Sequence, residues 1–154
     1  MQMVSHKFRR RNNIGILIGK FPQGATLPAI VSYALHLFSA SVLLVVFFLA
    51  YTWITPIDEV LLIRQGNNAA TLSLGGALIG FSLTLASSLL HTSNYVEFLG
   101  WAVGSMVVQV LAYAITCRLL HISKEHIESG NTAFGGLMGA ISISIGAINA
   151  GCIS

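Results

Sequence analysis

Charge is scarce in this sequence. Only 8% of its 154 residues are Asp, Glu, Lys or Arg, against about 25% in an average soluble domain, too few to cover a water-soluble globule. The shortage is also localised. No Asp, Glu, Lys or Arg occurs between Pro28 and Thr55, from Gly66 to Asn94, from Phe98 to Cys117 or from Ser129 to Ser154. With no such residue in the middle of a run, a proton relay or ion-coupled carrier is disfavoured and passive conduction stays open. Cysteine is scarce too. Cys117 and Cys152 have no CxxC spacing, which leaves no zinc or redox motif and reads both as small apolar packers. A P-loop, a dinucleotide fingerprint, a nucleophile elbow and HExxH are all missing, so no enzyme, metal or cofactor is expected.

What is present is apolar. The mean hydropathy is +0.78, and each charge-free run meets the need for about 20 apolar residues to cross ~30 Å of hydrocarbon. Barrel strands alternate apolar and polar residues over about ten positions. "SVLLVVFFLAY" is apolar on every side, which suits a helix that satisfies its own backbone in lipid. The expectation is an all-α membrane protein with four transmembrane helices, in contact with the lipid bilayer. The N-terminal stretch has a basic region followed by "IGILIG", shorter than the ~7–15 residues of a secretory core. It reads as a retained basic tail, 1–27, before a membrane domain, 28–154. Lys7, Arg9, Arg10, Arg11 and Lys20 in this tail account for the net charge of +3 and suit anionic headgroups. Phe8, between Lys7 and Arg9, is the one Phe, Tyr or Trp within the cluster, short of a stacking platform, so nucleic acid is not an expected partner.

The chain also repeats itself. Gly66, Asn67 and Ala69 match Gly130, Asn131 and Ala133 at a spacing of 64 residues, and Gly75 matches Gly139 at the same spacing. Each unit runs apolar helix, polar linker, Gly-Asn, glycine-rich helix, with repeat one at about 28–90 and repeat two at about 95–154. A unit of two helices returns the chain to its starting side, so the repeats are expected to be parallel rather than inverted. Both linkers then share one membrane face, and the tail, the "HTSNYVE" loop and the C-terminus share the other. Interfacial aromatics are expected at both faces: Tyr33, Tyr95 and Trp101 towards the tail, Tyr51, Trp53 and Tyr113 towards the linkers. Lys and Arg number five on the tail face against three on the linker face (Arg64, Arg118, Lys124). The bias reverses when only charges near helix ends are counted, so orientation stays open.

Two readings suit the Gly-Asn pairs. Asn is a favoured N-cap and Gly permits a sharp turn. Alternatively, two helix N-termini on one face make a mouth for an anion or headgroup, with Gly66, Asn67, Asn68, Gly130 and Asn131 as candidates. Behind them, Gly76, Gly80, Gly135, Gly139 and Gly146 have small-residue spacings that bring helix backbones together. The competing reading is a narrow polar path between the same faces. His36, Gln109 and Asn149 are the intramembrane polar candidates, expected to hydrogen-bond between helices. The linkers hold Asp58, Glu59 and Arg64, then His121, Lys124, Glu125, His126 and Glu128, read as amphipathic interfacial segments with solvated charges. His121 and Glu125 can share a helical face but match no metal-ligand set.

Taken as a set, "YTWITPIDEVLLIRQGNNAATLSLGGALIGFSLTLASS", "VQVLAY" and "IESGNTAFGGLMGAISISIGAINAGC" resemble the YjfL-type bacterial inner-membrane proteins, catalogued as a domain of unknown function. The resemblance covers roughly Ser32 to the end. The basic stretch before Pro28 departs from the short N-termini of that family. The resemblance implies four transmembrane helices in two repeats, a multi-pass location in the bacterial inner (plasma) membrane, and no established reaction. Two roles are then expected: a small oligomeric transport or channel-like subunit, or a non-conducting interaction or regulatory subunit with a membrane-protein partner.

Overall fold

The computed structural model describes residues 27–55, 57–119 and 124–153. The basic tail, His121 and Ile122 lie outside the described residues. Among the described residues six helices follow in order: α1 (Leu27–Ile54), α2 (Glu59–Arg64), α3 (Asn68–His91), α4 (Tyr95–Leu119), α5 (Lys124–Glu128) and α6 (Thr132–Ile153). Four of them are long and apolar enough to cross a membrane. At ~1.5 Å per residue they extend for about 33 to 42 Å, the thickness of a bilayer core with its margins. The first turns of α1, through Ala34, fall in a separate unit from the rest, and Ile30, Val31 and Tyr33 there are exposed. The bundle proper is Leu35–Ser154.

Small and large residues hold the bundle in different ways. α3 and α6 lie against one another backbone to backbone. A Cβ on Gly76 would run into the backbone of Gly139, one on Gly135 into Ala69, and one on Gly146 into Gly80. These partners advance together along both chains, so α3 and α6 run in the same direction. Ser87 continues the seam by donating to the Ala150 carbonyl at 2.7 Å. Without an aqueous driving force between helices in lipid, such close packing supplies the attraction.

α1 packs instead through large rings. Phe47 stacks on Phe81 with ring centroids 4.5 Å apart, and Tyr51 meets Tyr113 edge to face at 4.8 Å. Leu74, Ala77, Leu85, Phe98, Ala102 and Met138 complete this core. A smaller apolar cluster of Ile57, Ala69, Ala70 and Ile127 ties the two linkers to the start of α3.

Candidate functional site at the linker end of the bundle

Each Gly-Asn pair ends one helix and starts the next. Gly66 and Gly130 have φ of +82° and +76°, the left-handed region in which a side chain is strained. Each glycine N–H bonds back to a helix carbonyl, Ile63 or Ile127, at 2.9 Å. The following Asn67 N–H reaches Leu62 O at 2.9 Å, and Asn131 N–H reaches His126 O at 3.1 Å. This is the paired bonding of a Schellman stop, made in the same way in both linkers. The asparagines then cap the long helices. Asn67 Oδ1 accepts from Ala70 N–H at 3.1 Å, and Asn131 Oδ1 accepts from Ala133 and Phe134 N–H at 3.1 and 3.4 Å.

The two junctions differ in reach. Asn67 Nδ2 crosses to the second linker and donates to Ile127 O at 2.7 Å and Glu128 O at 3.3 Å. Gly66, Asn67, Asn68 and Gly130 line one recess of about 320 Å³ together with Glu128. Asn131 is exposed and not part of that lining. Both amide hydrogens of Asn67 are therefore engaged, and a carboxylate stands on the rim. That geometry suits capping better than capture of an anion.

The five glycines with small-residue spacing, Gly76, Gly80, Gly135, Gly139 and Gly146, all sit in the α3–α6 seam. Backbone contact there leaves no polar path between these two faces. Of the intramembrane polar candidates, His36 faces the rings of Tyr95 and Phe98 with centroids 5.4 and 5.6 Å away. Gln109 is buried and donates from Nε2 to Ser142 O at 2.9 Å. Its own Oε1, together with Ser105 Oγ and Asn149 Nδ2, is buried without a hydrogen-bond partner among the described residues. Ser105 is one turn from Gln109 on α4, so α4 turns a polar edge towards the α3–α6 pair at mid-depth. The structure thus brings Gln109 to the seam and leaves His36 elsewhere, among aromatics.

Sequence reasoning overlooked Glu59. Asp58 caps α2 by accepting from Leu61 N–H at 3.0 Å and stays exposed. Glu59 begins the helix and turns inward, with 1% of its surface exposed. Thr55 donates to its Oε2 at 3.0 Å, and Tyr51 supplies a second hydrogen-bonding hydroxyl. Tyr51 in turn meets Ser73 Oγ at 3.2 Å and the Tyr113 ring. Tyr51 and Tyr113, expected towards the linker face, are buried inside the bundle near Glu59, where hydroxyl partners replace headgroups. Burial pushes the Glu59 carboxyl up to about 7; the Thr55 and Tyr51 hydroxyls oppose the shift and the Asp58 charge adds to it. An uncompensated carboxylate in a dry site is costly, so its neutral form is favoured. The spacing Thr55-x-x-x-Glu59, with a capping Asp just before the acid, was the available signal.

The family model described as "Domain of Unknown Function (DUF350)" matches residues 25–153. The inner membrane protein YjfL of Escherichia coli K12 is 28% identical over 128 residues, which cover 83% of this chain and 97% of the relative. The transmembrane protein YshE of Bacillus subtilis strain 168 is 27% identical over 111 residues, 70% of this chain and 83% of the relative. No solved structure matches the chain.

Proposed function

The chain belongs to the DUF350 family as a multi-pass inner-membrane protein, and on that premise we propose that it is a small, non-enzymatic transport or channel-like subunit acting as a homo-oligomer. The observation that carries this reading is the row of buried polar groups inside a membrane bundle. It starts at Glu59, passes Tyr51, Ser73 and Tyr113, and reaches Gln109 and Ser142 at mid-depth. It continues through Ser105 and Asn149 towards Ser87 and His91. Unpartnered polar atoms are costly away from water and rare in native structures. Ser105 Oγ, Gln109 Oε1 and Asn149 Nδ2 are accounted for if a small hydrogen-bonding species moves past them. The row is narrow and four helices enclose little volume, so the working unit contains several copies, each donating its own row or sharing one.

The two helix pairs are parallel repeats in this reading. The matching Schellman stops at Gly66 and Gly130, the matching asparagine caps and the common direction of α3 and α6 support it. The test is flux in vesicles reconstituted with the purified chain, following protons, small cations and water. Flux above protein-free vesicles that falls in Gln109→Leu and Asn149→Leu is expected; no flux from a folded, oligomeric protein refutes the reading. The alternative, a non-conducting regulatory subunit, is favoured by the outward side of α1, where Phe38, Val45, Leu49 and Trp53 are exposed. Crosslinking in native membranes that captures a second membrane protein through this side, without flux, selects that alternative.

A further inference from the structure

Glu59 stands where the buried polar row meets the linker face. An open groove of about 810 Å³, lined by Leu49, Trp53, Asp58 and Val60 among others, runs along the end of α1 and reaches it. The groups acting on its carboxyl come from every side. Tyr51 and Thr55 face it from α1, and Asp58 lies in its own turn. Tyr113 and Cys117 on α4 sense it, and Ser73 on α3 is linked to it through Tyr51. None of these is a cation. Two hydroxyls satisfy the carboxyl and, among the described residues, no positive charge acts on it, so the partner that removes its charge is a proton. Thr55 donates to Oε2, and Tyr51 is the other hydroxyl at the carboxyl.

We propose that Glu59 is a proton-binding site loaded from the linker face through the groove, and that the species carried along the buried polar row is the proton. A hydronium ion in the groove gives its proton to the carboxylate and leaves as water. The resulting acid passes the proton to the next oxygen of the row and returns to a carboxylate. One O–H bond breaks for each one formed, and nothing is oxidised or reduced. The assignment of the proton as cargo rests on the transport reading; the binding site does not.

The test uses the full chain in phosphatidylethanolamine–phosphatidylglycerol vesicles, with Glu59→Gln as the isosteric variant and circular dichroism to show that it folds. Infrared difference spectra over a pH titration are expected to show a carboxylic-acid band that titrates near neutrality and is lost in Glu59→Gln. A carboxyl that ionises in the ordinary glutamate range overturns the site. Proton flux, read with an interior pH dye under an imposed potential, is expected in the wild type and lost in Glu59→Gln. Flux undiminished in Glu59→Gln overturns the role of Glu59 as the point of loading. A neutral-range band in a chain that passes no protons refutes the proton as cargo and leaves the binding site established; the transport reading falls only when cations and water do not pass either.

Discussion

Replacing Gly76 by alanine places a methyl group inside the backbone of Gly139. The new Cβ would overlap Gly139 Cα and O, and would lie 2.7 Å from its carbonyl carbon, where ordinary contact begins at 3.4 Å. No flexible side chain can give way, so α3 and α6 must part by about 1 Å, a separation that forfeits up to about half of each dispersion contact it affects. The seam is shared. Gly135 against Ala69, Gly139 against Leu72 and Gly146 against Gly80 loosen with it, and so does the Gln109 bond to Ser142 O at 2.9 Å. Overpacking of this kind costs about 1–3 kcal/mol, only partly offset by the ~1 kcal/mol preference of a helix for alanine over glycine.

Gly75 supplies the control. It is the preceding residue of the same helix, and a Cβ there meets nothing within 4 Å. Gly75→Ala is therefore expected to be neutral or to stabilise by up to ~1 kcal/mol. Equilibrium unfolding in mixed detergent micelles, read by tryptophan fluorescence, should separate the two variants by about 1–3 kcal/mol, since the propensity gain is common to both. Equal stabilities within ~0.5 kcal/mol would refute the reasoning, because propensity and hydropathy are identical in the two cases and only the seam differs.

The remaining predictions concern the linker end. The folded pKa of Glu59 is raised from 4.5 to about 7, so its contribution to stability is full below pH 4.5 and is lost as pH rises through about 7. The loss is on the order of 3 kcal/mol, and thermal denaturation of Glu59→Gln should lack that pH dependence. Asn67→Ala should cost about 2 kcal/mol, a cap plus the bond to Ile127 O, whereas Asn131→Ala should cost about 1 kcal/mol for the cap alone; chemical unfolding of the two single variants checks this. Gly66→Ala should destabilise by about 1–2 kcal/mol and Gly66→Asn by less, because asparagine tolerates the left-handed backbone; their melting temperatures rank the two. Single-cysteine variants Gln65→Cys and Ser129→Cys should react with an impermeant maleimide from the same side of the membrane, and labelling from opposite sides would refute parallel repeats.

What could be read in advance was what depends on neighbours along the chain. A span is recognised by the charges it lacks, so all four runs became the long helices α1, α3, α4 and α6. A cap is a bond within one turn, so Gly-Asn announced both junctions before any partner was known, although the glycine serves the helix that ends rather than the one that begins. Glycines four apart announce a close approach without naming what approaches, and the spacing alone left open whether α3 met α6 or enclosed a path with it. The structure closes that seam, with Gly76 against Gly139.

Glu59 shows why the rest was hidden. Asp58 and Glu59 are adjacent acids in a polar linker, and composition treats them alike. Their fates diverge at one backbone position. Because Asp58 takes the cap, Glu59 becomes the first helical residue and falls on the side of Leu62 and Ile63, three and four residues on, which pack against the core. A charge is then carried into the bundle by the geometry of a six-residue helix, where Thr55 and Tyr51 of α1 bond it and Tyr51 meets Tyr113 of α4. No local pattern encodes that meeting, because Tyr51 and Tyr113 are 62 residues apart in the chain and meet only once the α3–α6 seam has fixed where α4 can lie. The glycine seam and the buried acid are therefore two parts of one design. Backbone contact removes the space between α3 and α6, and the polar groups are displaced onto the flank where α1 and α4 pack through larger side chains.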